Sequence, residues 1–597
     1  MQFVSASGWK RGWAMALILA AGLFLGASTR GRSDDTPKKP DAPKAKDDAK
    51  SEEPAVGAPS GGAVQTAEIN RLLAKFWADN SAKPADKATD YEFCRRVYLD
   101  ILGRVPAIWE VKDYVANTSR KKREQLIHKL LHDPYYKEEY EENWSTIWTT
   151  LLLTRSGNKI YHEQMHEWLA DQFGKNTPWD QIVRELLTAK GENNDNGAVN
   201  FILAHLGDPQ QARESDGQFD MVPITSRTTR LFLGLQIQCT QCHNHPFNPE
   251  WKQSHFWGVN AFFRQAHRDG TPLMRQQANM PNAAAKLSLR EDAEANKDAK
   301  VFFEDRQAVM HQTAPKFLDG KKLTDGKFNT RRDALAQFVI DHDQFPKAFV
   351  NRIWGHFFGR GLNQNATVDD FGEHNQVVHP ELLEVLAKGF KDYKYNVKEL
   401  ISWICNSEAY NLSCKANNSN NKPEHEVYFS RMLLKNMSPE QLFESLRTVL
   451  DQPVKPKTGE VGKKTAAMIA AMKEDYAKRK NARDAWLAKL TRNFGDDEGN
   501  EITFNGTVVQ ALLMMNGKEL QEELNRSTNN TVANAARAGN AGILDELTLA
   551  ALGRKAKQHE RDVLKSETQR LGKGNELWFW QDVLWALLNS NEFVLNH

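Results

Sequence analysis

The chain has 597 residues, a length that predicts more than one domain, and its 40% hydrophobic content with 16 tryptophans is ample for large cores. Lysine plus arginine number 79 against 77 aspartates and glutamates, and the resulting net charge of +2 excludes the dominant basic surface of a nucleic-acid-binding protein. The five cysteines (Cys94, Cys239, Cys242, Cys405 and Cys414) are too few for a disulfide-stapled scaffold.

The first element expected is an export signal. Lys10 and Arg11 precede an apolar run at 12–25 (GWAMALILAAGLFL), followed by the small residues Gly26, Ala27 and Ser28. The run is shorter than the roughly 20 residues of a membrane span. No A-x-A cleavage site is present, so residues 1–30 read as a signal peptide or as an uncleaved anchor. Either way the protein is expected outside the cytoplasm, in the periplasm or at the cell surface. Residues 31–65, with PKKPDAPKAKDDAK at 37–50, bury too little apolar surface to order and read as a disordered spacer.

From Ala67 the pattern turns helical. Ile69, Leu72, Leu73 and Phe76 recur at three- and four-residue steps, as do Phe93, Val97, Leu99 and Leu102. Similar segments follow at 123–131, 144–153, 162–173 and 179–187, punctuated by Pro106, Pro134, Gly174 and Pro178. Alternating strand patterns are scarce. The expected fold is mainly α and multi-helical, with two helical domains after the spacer. Residues 266–324 read as a polar, irregular connection. A second helical block opens after Thr330, with an Ala/Lys-rich surface hairpin inserted at about 455–490 and an aromatic core helix in WFWQDVLWALLNSNEF at 578–593. Leu102-Gly103-Arg104 is echoed by Leu552-Gly553-Arg554, each before further helix; LISWICNSEAY at 400–410 resembles the later half of both modules. The spacings differ, which excludes a fixed-period solenoid.

Two groups of residues carry chemistry. The first is C-T-Q-C-H at 239–243. Cys239 and Cys242 can add to the two vinyl groups of a haem, with His243 as proximal iron ligand. Haem attachment of this kind is made outside the cytoplasm, which agrees with the export signal. The same thiols could instead join His245 and His255 around zinc, close a local disulfide, or have no chemical role. No distal haem ligand stands out among His255, Met274, Met280, His162 and His166. The second group comes from FVNRIWGHFFGRGL at 349–362 and DDFGEHNQVVHPELL at 369–383. Arg352, His356, Asp370 and His374 could form a polar pocket for an anion, a sugar or a metal. The plainer reading is helix capping and ion pairing, with Asp370 against Arg352 or Arg360 and His379-Pro380 starting a helix. Phosphate-binding glycine loops, G-x-S-x-G elbows and H-E-x-x-H helices are absent, so no reaction is assigned.

With these motifs in hand, the chain resembles a family of planctomycete exported proteins. They pair a cytochrome-c-like (PSCyt-type) domain of unknown function with a planctomycete-specific (PSD-type) domain, also of unknown function. FCRRVYLDILGRVPAIWEV at 93–111 and TTRLFLGLQIQCTQCHNHPFNPEWKQSHFWGVNAFF at 228–263 carry the first likeness. RRDALAQFV at 331–339, the two polar-group segments, LISWICNSEAY, LTRNFGDDEGNEITFNGTVVQALLMMNG at 490–517 and WALLNSNEFVLNH at 585–597 carry the second. The resemblance implies domains at 66–265 and 325–597 and a cytochrome-like label, but no established reaction. Relatives typically have Asp-Pro after the H-x-H, where this chain has Asn248-Pro249. Many also have a separate cytochrome c domain upstream, where this chain has only the spacer.

The leading expectation is therefore an exported c-type cytochrome-like protein with haem c on Cys239, Cys242 and His243 and an unidentified redox partner. It would touch no nucleic acid, and a membrane only through its N-terminus. The alternatives are a binding or scaffold protein with a zinc or disulfide clip, and a polymer-processing hydrolase centred on Arg352, His356, Asp370 and His374.

Overall fold

The computed structural model describes residues 62–155, 159–207, 220–269, 287–291, 300–323, 327–453, 455, 485–486, 517–525, 531–537, 542–571 and 576–597. The export signal, nearly all of the spacer, Met274, Met280 and most of the 455–490 insertion lie outside the described residues.

The periodicity read from the sequence forms helices in the first block. α1 (Gly62–Asp79) buries Ile69, Leu72, Leu73 and Trp77, and starts inside the expected spacer. α2 (Asp90–Leu102) is capped by Thr89, whose side chain accepts from Glu92 N, and ends at Gly103, φ +73. Then come α3 (Ile108–Ala116), α4 (Lys122–His132), α5 (Lys137–Leu153), α6 (Lys159–Gly174), α7 (Trp179–Thr188), α8 (Asn200–His205), α9 (Val222–Leu233) and α10 (Gln253–Asn260). The stretch expected to be irregular contains strands. β1 (Gly191–Glu192), β3 (Ser288–Glu291) and β2 (Ala266–Asp269) form a three-stranded antiparallel sheet in that order, with Gly191 opposite Leu289 and Ala266 opposite Glu291. β4 (Val301–Glu304) and β5 (Met310–Thr313) form a hairpin. These strands are too short for alternation to stand out in sequence.

The second block begins with α11 (Arg331–Ile340), started by a Thr330/Asp333 capping box, and α12 (Gln344–Phe358). α13 (Pro380–Asp392), α14 (Val397–Cys405) and α15 (Pro439–Leu450) follow. The last helices are α16 (Lys518–Leu524), α17 (Thr531–Arg537), α18 (Ile543–Leu552), α19 (Gln558–Leu571), α20 (Glu576–Leu588) and α21 (Asn591–Val594). β6 (Lys435–Asn436) pairs with β7 (Leu595–Asn596), tying the C-terminus back to the middle of the block. Among the described residues, no helix is long and apolar enough to cross a membrane.

The two blocks share one apolar core. Trp148 of α5 stacks on Phe349 of α12 at 5.6 Å, and Phe349 stacks on Phe390 of α13 at 4.9 Å. The division at about residue 325 is thus a division in sequence rather than in packing. A second cluster joins Leu99 and Val105 to α15, α16, α17, α18 and α20.

The Leu-Gly-Arg echo is a repeated structural unit. The Arg104 guanidinium donates to both oxygens of Glu110, at 2.8 and 3.0 Å, and to Glu139 at 2.7 Å; Glu110 also accepts from Ala107 N at 2.6 Å. Arg554 grips Glu560 at 3.0 and 2.7 Å and Glu592 at 2.5 and 2.7 Å, and Glu560 accepts from Lys557 N at 2.7 Å. In both copies the glutamate lies six residues after the arginine, and together they fix the turn between two helices.

Two outcomes are expected. Glu110→Ala leaves Arg104 buried without its main partner and should cost about 3–5 kcal/mol in denaturant unfolding. Burial also pulls the pKa of His205 and His379 down to about 4, from an ordinary 6.5. The stability tied to keeping them neutral is complete above 6.5 and is lost as pH falls towards 4. Unfolding free energy measured from about pH 7 to about pH 5 should drop by on the order of 1 kcal/mol per pH unit per histidine, and His205→Gln should flatten that slope.

Candidate functional site

The C-T-Q-C-H segment sits just beyond the end of α9. That helix stops at Gly234 (φ +66), whose carbonyl accepts from Phe371 N of the second block at 2.8 Å. A Cβ on Gly234 would lie 2.5 Å from the Phe371 ring, so the two blocks can meet here only over a glycine. Gln238–Gln241 then form a short 3-10 turn, pinned by the buried Thr240, whose hydroxyl donates to Ile237 O at 2.6 Å. Cys239 is half-buried and Cys242 exposed, and both thiols are unpaired. Burial raises the pKa of the Cys239 thiol, and the Asp370 carboxylate adds to the effect. His243 Nδ1 donates to Asn244 O at 2.7 Å.

The two other histidines of the motif hold backbone. His245 Nδ1 accepts from Phe247 N at 3.1 Å and Asn248 N at 2.9 Å, and burial lowers its pKa. His255 Nδ1 accepts from Lys252 N at 3.1 Å, at the start of α10. Among the described residues, no three His, Cys, Asp or Glu side chains are grouped so as to hold a metal ion. The zinc set Cys239, Cys242, His245 and His255 is therefore not brought together as a preformed site. The candidate distal histidines are also spent, His162 Nε2 on Thr154 O at 2.6 Å and His166 Nε2 beside Ser145 Oγ at 2.9 Å.

The second group divides. Asp369, rather than Asp370, takes the arginines: Arg230 Nε donates to it at 2.6 Å and Arg352 Nη2 at 3.4 Å. Arg360 turns to Asn363 O and Gln364 O. His356 is half-buried with Nε2 donating to Asp100 O at 2.9 Å; it lines a separate cavity of about 100 Å³. His379 precedes α13 as expected and donates to Val427 O at 2.7 Å. Asp370 and His374 do stay together, with His374 Nε2 donating to Asp370 Oδ2 at 2.8 Å.

This pair meets the cysteine segment across a cleft of about 690 Å³, where Arg227, Gln236, Cys239 and His245 line one wall and Asp370 and His374 the other. Of the three haem-attachment candidates, only Cys239 lines this cleft. The join is made by Asn248, buried to 3% exposure, whose Oδ1 accepts from Glu373 N at 3.0 Å and lies 3.5 Å from His374 Nδ1. Arg227, Arg230, Gln236 and Phe247 were not singled out from the sequence, and Asn248 was noted there only as the residue in place of the relatives' aspartate. The one available signal was the three-residue step from Arg227 to Arg230, which puts both on one face of α9.

Residues 68–268 match the family model described as PSCyt2, protein of unknown function (DUF1549); residues 331–567 match PSD1, protein of unknown function (DUF1553). No curated protein and no solved structure gives a significant match.

Asn248→Ala should free the Glu373 amide and cost about 1–3 kcal/mol. Hydrogen exchange should speed up at Gly372, Glu373 and His374 while the α2 amides stay protected.

Proposed function

For a chain that belongs to both the PSCyt2 and the PSD1 families, we propose an exported redox protein that carries haem c on its C-T-Q-C-H turn. Cys239 and Cys242 would form the two thioether bonds, and His243 would bind the iron. The observation that carries this reading is the state of His243. Its Nδ1–H is spent on the Asn244 carbonyl, which fixes the tautomer and leaves the lone pair on Nε2, the state an axial histidine needs. The donor set fits on a second count, because both thiols are unpaired and Cys242 is exposed to an attachment machinery. When bound, haem supplies one-electron transfer. The chain's own part is to hold the turn, through buried Ile237 and Thr240, and to orient His243 through Asn244. Export rests on the basic and apolar segment at 10–28.

The test is a pyridine haemochrome assay with intact-mass measurement, on protein made in a host that matures haem c. The expected result is one covalent haem per chain, with the double variant Cys239→Ala/Cys242→Ala losing the adduct. His243→Ala should keep the adduct but change its spectrum. Protein of unmodified mass with no haem absorbance would sink the proposal, and metal analysis of that sample would then test the zinc alternative.

A further inference from the structure

We infer that the cleft between the two blocks binds an acidic saccharide, a short run of sugar rings bearing carboxylates or sulfates. The inference does not depend on haem attachment. Phe247 stands at the cleft with 66% of its surface exposed, on a turn made rigid by the two backbone amides that His245 accepts. A large aromatic ring held in water on a rigid support is a binding platform. What surrounds it selects the partner. The nearest rings are those of His374 at 5.8 Å and His245 at 6.3 Å, so the platform is polar at its edges. A sugar ring, with an apolar C–H face and a hydroxyl rim, matches such a surface better than an aliphatic chain does.

The walls supply the rest. Arg227 and Arg230 lie one turn apart on α9 and both line the cleft, Arg230 with its Nε already donating to Asp369. Guanidinium groups recognise carboxylates and sulfates through paired N–H donors. Gln236, Gln238 and Ser226 from one side, and Asp370 and His374 from the other, present the mixed donors and acceptors that hydroxyl groups require. The volume of about 690 Å³ falls in the range of small-ligand sites, about 300–1,000 Å³. Among the described residues, Asp370 is the one carboxylate in this lining, whereas glycoside hydrolysis ordinarily uses two. The cleft is accordingly assigned to binding.

The experiment is a calorimetric titration of the full chain with an oligogalacturonate, a sulfated oligosaccharide and a neutral oligosaccharide of equal length. At least one acidic ligand should bind saturably, more weakly as salt is added, and at least tenfold more tightly than the neutral one. Phe247→Ala should weaken that ligand at least tenfold with no change in unfolding temperature, and Gln238→Ala, also at an exposed position, should weaken it by a smaller factor. Equal affinity for the neutral ligand, no saturable binding of either acidic one, or full affinity in Phe247→Ala would overturn the inference. Neither variant touches Cys239, Cys242 or His243, and haemochrome absorbance is read on the same samples, so haem attachment and saccharide binding stand or fall separately.

Discussion

One buried carboxylate organises the molecule. Asp100, in α2 and 1% exposed, accepts from Lys435 Nζ, Asn596 Nδ2 and the Tyr410 hydroxyl, each at 2.7 Å, while its own carbonyl takes His356. Those partners come from β6, β7, the segment after α14, and α12. A charge removed from water is tolerable only with a full set of partners, so this one fixes the place of four distant segments at once. Its neighbours on the helix do the same. Arg96 donates to the carbonyls of Tyr410 and Leu412, and Arg95 to those of Ala551 and Phe593. The charged residues of FCRRVYLDILGR are thus the polar centre of a fused core, and the first block is completed only by contacts with the second.

That fusion sets the geometry of the cleft. α9 is held by Phe232, whose ring packs against Trp179 in contact with Trp148 and Phe349, and its end is held by Phe371 over Gly234. Asp369, clamped between Arg230 and Arg352, anchors the segment that carries Asp370 and His374. The two walls therefore belong to different blocks but to one rigid interior. Loop residues can be positioned for binding or chemistry only when such a scaffold fixes both ends.

Most helices could be read in advance because burying one face imposes a three-to-four-residue recurrence that the chain cannot hide. The Leu-Gly-Arg turns could be read too, since a left-handed cap favours glycine and the following arginine recurs. The glutamate six residues on was missed, because its pairing is a contact across a turn rather than a periodicity. The two small sheets, formed by strands between 266 and 313 with Gly191–Glu192 added at one edge, were missed for a related reason: strands of two to four residues leave too little alternation to detect.

By itself, the sequence determined the helical class, the start of the second block near Thr330 and the C-T-Q-C-H motif. These are local matters, decided by periodicity, caps and spacings of a few residues. Only the tertiary structure decided that Asp369 rather than Asp370 takes the arginines, that His356 leaves the group to support Asp100, and that Asn248 carries Asp370 and His374 to the cysteine segment. A one-residue step along an irregular segment sends neighbouring side chains in different directions. Which of two adjacent aspartates is buried is then settled by the desolvation and pairing of charges more than a hundred residues apart.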